Sequence, residues 1–307
     1  MTCDVALEKA KVGVVLLNWN GGEFTIPCIS SLLAGDLSPW RILVFDNAST
    51  DGSPEEITAM FPEVQMVRSA ENVGFAAGSN QGIRQLLAQG ADFLWILNND
   101  TVVHRSCLRM LVEECLHDGK LGGATGKIFF QQPGDRIWYA GGRWNRWSFT
   151  SAHRGRGEKD TGQYDRAEDV EFASGCCMLL RREALARVGL FDERYFVYCE
   201  DAEWCLRARR HGVRMRYVPH AVLWHRVSAS AKKNAGGKTP PLSHYYNQRN
   251  RLFNMRRYAG RPLQVTTAVL AHLARALPLS VALLVLRRWA TLKSVVRGIR
   301  DGLLAPV

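Results

Sequence analysis

The chain has 307 residues, 47% of them hydrophobic and 22% charged, which excludes a disordered or fibrous polymer and leaves room for one large domain with an appendage. The formal net charge is +11, but eleven Lys and Arg and a single acid, Asp301, follow residue 243, so the first 243 residues carry only +1. A nucleic-acid-binding body is thereby excluded, and a basic tail that meets an anionic surface is expected. The eight cysteines contain no C-x-x-C pair, and Cys176 and Cys177 are adjacent. Reduced thiols and a cytoplasmic setting follow. The start, MTCDVALEKAK, has no apolar run, so no signal peptide is expected.

Residues 12–17 are a continuous apolar run, as a strand buried on both faces requires, and Asn18-Trp19-Asn20 follows. A helix is predicted over 23–33, closed by Gly35. A second strand, 41–45, ends at Asp46-Asn47. Ser53-Pro54 opens a short helix, with the serine as cap and the proline at the first helical position. Residues 64–67 form a third strand, 75–87 a helix, 93–97 a fourth strand and 106–117 a helix. This alternation predicts a mostly parallel sheet with helices on both faces. Beyond residue 120 the pattern changes. Strands are predicted at 122–130, 137–139, 170–180, 213–218 and 221–224, a loop over 141–163, and a helix over 200–211. Residues 228–241 have loop composition and read as a lid, with Lys232 and Lys233 near phosphates. The main body is expected over 1–243, with halves at 12–118 and 119–243, and a helical basic tail over 244–307.

Ligands of open parallel sheets bind beyond the carboxyl ends of the strands. Four of those ends are polar: Asn18 and Asn20, then Asp46, then Asn72 and Gly74, then Asn98-Asn99-Asp100. A carboxylate at Asp46 can accept the N–H of a base such as uracil or thymine. Asp100 can hold a hard divalent cation that grips phosphates. A lone histidine is more often structural than a ligand, but with a cation at Asp100, His225, closing a short apolar strand in "WHRVS", is a candidate ligand that would favour Mn²⁺ over Mg²⁺. Glu200-Asp201 opens a helix, where the dipole favours acids, and Asp201 is placed to act as a general base. "GGKTPP" is no phosphate loop, because the stretch runs into prolines.

The stretches "VVLLNWNG", "VFDNASTDGS", "NVGFAAGSNQGI", "LWILNND", "SGCCMLLRREALARVGLFDERYFVYCEDAEWCLRARRHG", "WHRVSAS" and "YYNQRN" occur in this order over about residues 12–255. Together they resemble family-2 glycosyltransferases of the GT-A fold, and among them the bacterial rhamnosyltransferase-like branch. The resemblance implies inverting transfer of a sugar, L-rhamnose from dTDP-rhamnose, to a hydroxyl of a glycan or polyprenyl-linked glycan in cell-surface polysaccharide synthesis. UDP-GlcNAc or UDP-galactofuranose as donor, or a sugar nucleotidyltransferase, are the alternatives. It implies Asn18, Asn20, Asp46, Asn72, Gly74 and Asn98 as nucleotide-binding residues. It implies Asp201 with Glu200 as catalytic, and Asp100 with His225 as holders of Mg²⁺ or Mn²⁺. Acceptor contacts are expected from Trp138, Trp144 and Gly175, with Trp147 nearby. The sequence departs at Asn98, where many relatives carry Asp, which weakens the expected metal dependence, and at Glu203, where Asp is commoner. In the tail, residues 263–286 are apolar in blocks broken by His272, Arg275 and Pro278, too short uninterrupted for a span. A basic amphipathic helix on the inner face of the plasma membrane is expected over 263–300.

Overall fold

The computed structural model describes residues 3–145, 147–227 and 239–306; the proposed lid with Lys232 and Lys233 lies outside them. Strand and helix alternate as expected: β1 (Val12–Asn18), α2 (Gly22–Leu33), β2 (Arg41–Asp46), α3 (Ser53–Met60), β3 (Gln65–Arg68), α4 (Gly74–Ala88) and β4 (Phe93–Leu97), preceded by α1 (Cys3–Lys9). The cap of α3 is Gly52, not Ser53. α4 lies close against the sheet because a Cβ at Gly78 or Gly82 would meet Phe45 at 2.9 Å or Val15 at 2.8 Å. β3, β2, β1 and β4 run parallel in that order. Asn18 and Asp46 are direct partners in the β1–β2 register, so the two strands end flush.

Beyond β4 the sheet is mixed. β5 (Thr101–Val103) and α5 (Cys107–His117) lead to β6 (Leu121–Phe130) and β7 (Ile137–Tyr139). The strand expected over 170–180 is two strands, β10 (Glu168–Val170) and β11 (Cys177–Arg181), split where Cys177 N–H closes a turn on the Ser174 carbonyl at 3.0 Å. β11 lies antiparallel between β4 and β6. The two strands expected at 213–224 are one, β12 (Arg214–His225), irregular around Pro219. The loop expected over 141–163 contains a hairpin, β8 (Gly142–Asn145) with β9 (Thr150–His153). Between β11 and β12 come α6 (Arg182–Val188), a 3-10 turn (Glu193–Tyr195) and α7 (Glu200–Arg210). All seven cysteines whose side chains are described are free thiols.

The tail is a helical unit packed on this body: α8 (Pro241–Tyr258), α9 (Pro262–Val285) and α10 (Trp289–Leu304). α8 starts ahead of the expected 243/244 boundary and buries Leu252, Phe253 and Met255. α10 turns Thr291, Val295, Gly298 and Gly302 inward. A Cβ at Gly298 would meet the Tyr245 carbonyl at 2.4 Å, so α8 and α10 approach closely. α9 buries a stripe, Ala268, His272, Ala276 and Leu283. Its other side exposes Leu263, Leu270, Leu277, Val281, Leu284 and Val285.

Candidate active site

The parallel strand ends form a hydrogen-bonded shelf. Asn18 Nδ2 donates to Asp46 Oδ1 at 2.9 Å and to Ser53 Oγ at 2.8 Å, while its Oδ1 accepts from Thr25 Oγ1 at 2.8 Å. Asp46 Oδ2 accepts the Ser49 N–H at 3.0 Å. Asn18 is wholly buried and Asp46 only 1% exposed. Asn18 is therefore not a pocket wall. It is the strut that holds Asp46, whose remaining lone pairs are what is left for a base. Asn20, with φ 49°, lies half-buried above them and accepts the Thr50 N–H at 2.7 Å. Asn72 Oδ1 accepts the Gly74 N–H at 3.0 Å, and Asn47 ties the same turn through Val73 N–H and the Gly74 carbonyl. Gly74 has φ 85°, and a Cβ there would lie 2.6 Å from Phe196, so no other residue fits.

At the fourth strand end, Asn98 is half-buried and Asn99 is spent on Thr25 Oγ1 at 2.8 Å. Pairing of β5 with β12 sets Thr101 opposite His225. That register brings Asp100 Oδ1 to 3.0 Å from His225 Nε2, and the Arg226 N–H donates to the Asp100 carbonyl. Both side chains are buried; Nε2 of His225 faces the Asp100 carboxylate, and its Nδ1 has no hydrogen-bond partner among the described residues. No group of three or more His, Cys, Asp or Glu gathers as a metal centre among the described residues. Two protein donors, a carboxylate and an imidazole side by side, would fit a divalent ion that also takes phosphate oxygens and water.

Asp201 stands at the start of α7 and accepts from the Gly175 N–H at 2.8 Å and from the Ala202 N–H at 2.7 Å. Burial raises its carboxyl above the ordinary aspartate value, against those N–H bonds, which lower it. Glu200 is more strongly raised, by burial and then by Asp201, and its Oε2 is buried without a partner. Of the pair Glu200 is the harder to ionise, because the N–H donors face Asp201. Burial pushes the Cys176 thiol well up, with Asp100 next, then Cys177 and Cys28, and Asp201 last, so both carboxylates lie within electrostatic reach of it. Tyr198 is likewise raised, first by burial and further by Glu200 and Asp100, and shares a hydrogen bond of 3.0 Å with Ser243.

The expected acceptor residues are not brought together. Gly175 is at the site, as the donor to Asp201. Trp138 meets both His225, at 4.6 Å, and His153, at 4.3 Å, edge to face; at 8% exposure it offers no open ring face. Burial and then Arg156 push His153 down to about 4, so it is neutral. Trp144 packs on Phe149 and lines a groove of about 360 Å³ with Leu206, Arg209 and Tyr258, by the last turn of α7, whereas Asp201 is in its first. Trp147 is 81% exposed on the β8–β9 turn. Glu203, fully buried, pairs with Arg207 at 2.8 Å and accepts from Tyr258, so it joins α7 to α8 and takes no part at the shelf. Sequence reasoning missed Thr25, Ser49, Ser53 and Tyr198. Only Ser49 carried a signal, standing three residues after Asp46 in the pattern of an Asx turn.

The chain matches known proteins in sequence and fold. It is 29% identical to N-acetylglucosaminyl-diphospho-decaprenol L-rhamnosyltransferase of Mycobacterium tuberculosis over 72% of this chain and 78% of that protein. It is 25% identical to dTDP-rhamnosyl transferase RfbF of Shigella flexneri over 70% of this chain and 71% of the relative. The mannosyltransferase PcManGT from Pyrobaculum calidifontis, solved with GDP-Man and Mn²⁺, superposes with a TM-score of 0.56 at 16% identity over 97% of this chain and 88% of the other, which establishes the GT-A fold. The family model described as Glycosyl transferase family 2 matches residues 14–189, more than half of the chain. The chain belongs to glycosyl transferase family 2 and is a glycosyltransferase.

Proposed function

We propose that this enzyme moves L-rhamnose from dTDP-rhamnose, with inversion, to a hydroxyl of a polyprenyl-linked glycan during cell-surface polysaccharide synthesis. The observation that carries the mechanism is the Asp201 carboxylate fixed at the start of α7 by the Gly175 and Ala202 N–H groups. The two rhamnosyltransferase relatives support the donor and the lipid-linked acceptor. In the reaction the acceptor oxygen bonds to C1 as the C1–O bond to the diphosphate breaks. Asp201 receives the acceptor proton, and the nucleoside diphosphate departs from the opposite face. One displacement inverts C1, and no covalent nucleophile is needed. Asp46 and the Asn72–Gly74 turn hold the nucleoside. Asp100 and His225 hold Mg²⁺ or Mn²⁺, which when bound neutralises charge on the leaving group.

A panel of UDP-, dTDP- and GDP-sugars tests the donor. dTDP-rhamnose is expected to release dTDP with Mn²⁺ or Mg²⁺ present. Turnover of UDP-GlcNAc or UDP-galactofuranose instead overturns the rhamnosyl reading in favour of those donors. Release of pyrophosphate from a nucleoside triphosphate and a sugar phosphate turns it to a nucleotidyltransferase.

The tail supports work at the cytoplasmic face of a membrane. α9 is long and apolar enough to cross a bilayer, with mean hydropathy 1.9 in an 18-residue window only 22% buried. The interruptions at His272 and Arg275 lower that average less than they shorten the uninterrupted run. A helix in the interface plane fits better than a span, because one stripe of α9 is occupied by protein. Arg287, Arg288 and Trp289 follow it, all exposed. Each basic residue near anionic lipid is worth about 1 kcal/mol. The double substitution Arg287→Gln/Arg288→Gln is therefore expected to weaken binding to phosphatidylglycerol-containing vesicles by roughly 30-fold. Co-sedimentation unchanged by the substitution, or equal on neutral vesicles, sinks this placement.

A further inference from the structure

The segment that delivers the catalytic acids is under backbone strain. Phe196, Tyr198 and Cys199 have φ of 60°, 69° and 68°, and Glu200 and Asp201 come next. Three side-chain-bearing residues at positive φ are unfavourable and persist only where the surroundings over-determine them. These conformations turn the carbonyls of Tyr195, Val197 and Tyr198 toward one point. That point is the side-chain amide of Asn250 on α8, whose Nδ2 lies 2.9, 2.9 and 2.7 Å from the three oxygens. Two N–H bonds serve three acceptors, so the amide is saturated. Its Oδ1 is oriented by Arg249 Nε at 2.9 Å, and Asn250 is wholly buried. From the other side the Phe196 carbonyl accepts the Phe75 and Ala76 N–H groups at 2.6 and 3.1 Å, at the start of α4.

We infer that Asn250 is a positioning residue for transfer: its amide holds the 195–199 loop in the strained form that sets Glu200 and Asp201 at the mouth of the sheet. The inference rests on the glycosyltransfer reading above. It assigns α8 to the catalytic machinery, although α8 belongs by charge to the basic tail. The Asp46 end of the nucleotide shelf does not depend on this clamp, because Asn18, Ser49 and Ser53 tie it from other elements, whereas the Gly74 turn meets the loop through Phe196.

The test uses the full chain and two isosteres. Asn250→Asp keeps the shape and removes both donors. Asn250→Leu removes all polarity. Both are expected to lower kcat for sugar transfer on the order of 10²-fold, the cost of a displaced catalytic group, while the calorimetric Kd for dTDP stays within about twofold. A kcat within about twofold of wild type overturns the inference. So does a loss shared equally by kcat and dTDP affinity, or one that tracks the folded fraction, since either marks a merely structural role. Amide hydrogen exchange over residues 195–201 separates this from failure of the parent reading. If wild type turns over no sugar nucleotide, that reading fails, and the clamp stands or falls on whether exchange in this segment accelerates in both variants.

Discussion

Asp201→Asn is expected to reduce kcat by about 10³-fold, within the range for loss of a general base, and to leave dTDP affinity unchanged. The amide keeps the volume and one acceptor, so the Gly175 N–H retains a partner. What is lost is the lone pair that takes the acceptor proton. The pH dependence carries the same argument with its sign. Burial holds the Asp201 carboxyl above its ordinary value of 3.8, and Glu200 higher still. The base form is present above the folded pKa and is lost as pH falls through it. The acid limb of kcat in the wild type is therefore expected above the ordinary aspartate range, and its removal in Asp201→Asn, with the residual rate flat over the same pH span, is the check. Glu200 holds its proton in this scheme, so it positions charge without accepting the transferred proton. A limb that survives in Asp201→Asn and vanishes in Glu200→Gln reverses the two roles.

Why Asp201 and Asp100 were legible while their supports were not is a matter of which physics a sequence exposes. Apolar runs ending in Asn18, Asp46 and Asp100 mark strand ends on one edge, because period and burial are written in residue order. Direction is not. Nothing in "GCCMLLR" says that β11 enters antiparallel between β4 and β6, yet this placement carries Gly175 to Asp201. The β8–β9 hairpin escaped because its strands are short and lack a turn dipeptide such as Asn-Gly. Asn18 looked like a ligand because an amide at a strand end is polar. Its burial, and its use by Asp46, Ser49, Ser53 and Thr25, depend on residues distant in sequence. Trp144 read as a sugar platform for its chemistry alone, and packing against Phe149 had the stronger claim on it. The tail was legible as basic and helical, but Asn250, 0% exposed among Arg residues, gave no sign of facing the catalytic loop.

Asp100→Ala is expected to abolish the contribution of the divalent ion to nucleotide binding. In the wild type, calorimetry should give dTDP an affinity at least tenfold higher with Mn²⁺ than with chelator, the lower end of what ligand-shell changes cost a metal site. In Asp100→Ala the two values should coincide. The reasoning is one of donor count. Among the described residues only Asp100 and His225 converge here, Asp100 is the single carboxylate, and Asn98 supplies no charge where a second acid could stand. With so few protein ligands, loss of the anionic one leaves a single imidazole that cannot retain a hard cation against water. The converse substitution, Asn98→Asp, restores a carboxylate and is expected to widen the difference between metal and chelator. If Asp100→Ala keeps the full metal effect, the ion is held elsewhere. Asp100 then serves His225, and the pairing of β5 with β12 that joins them is a structural seam of the shelf, not a metal site.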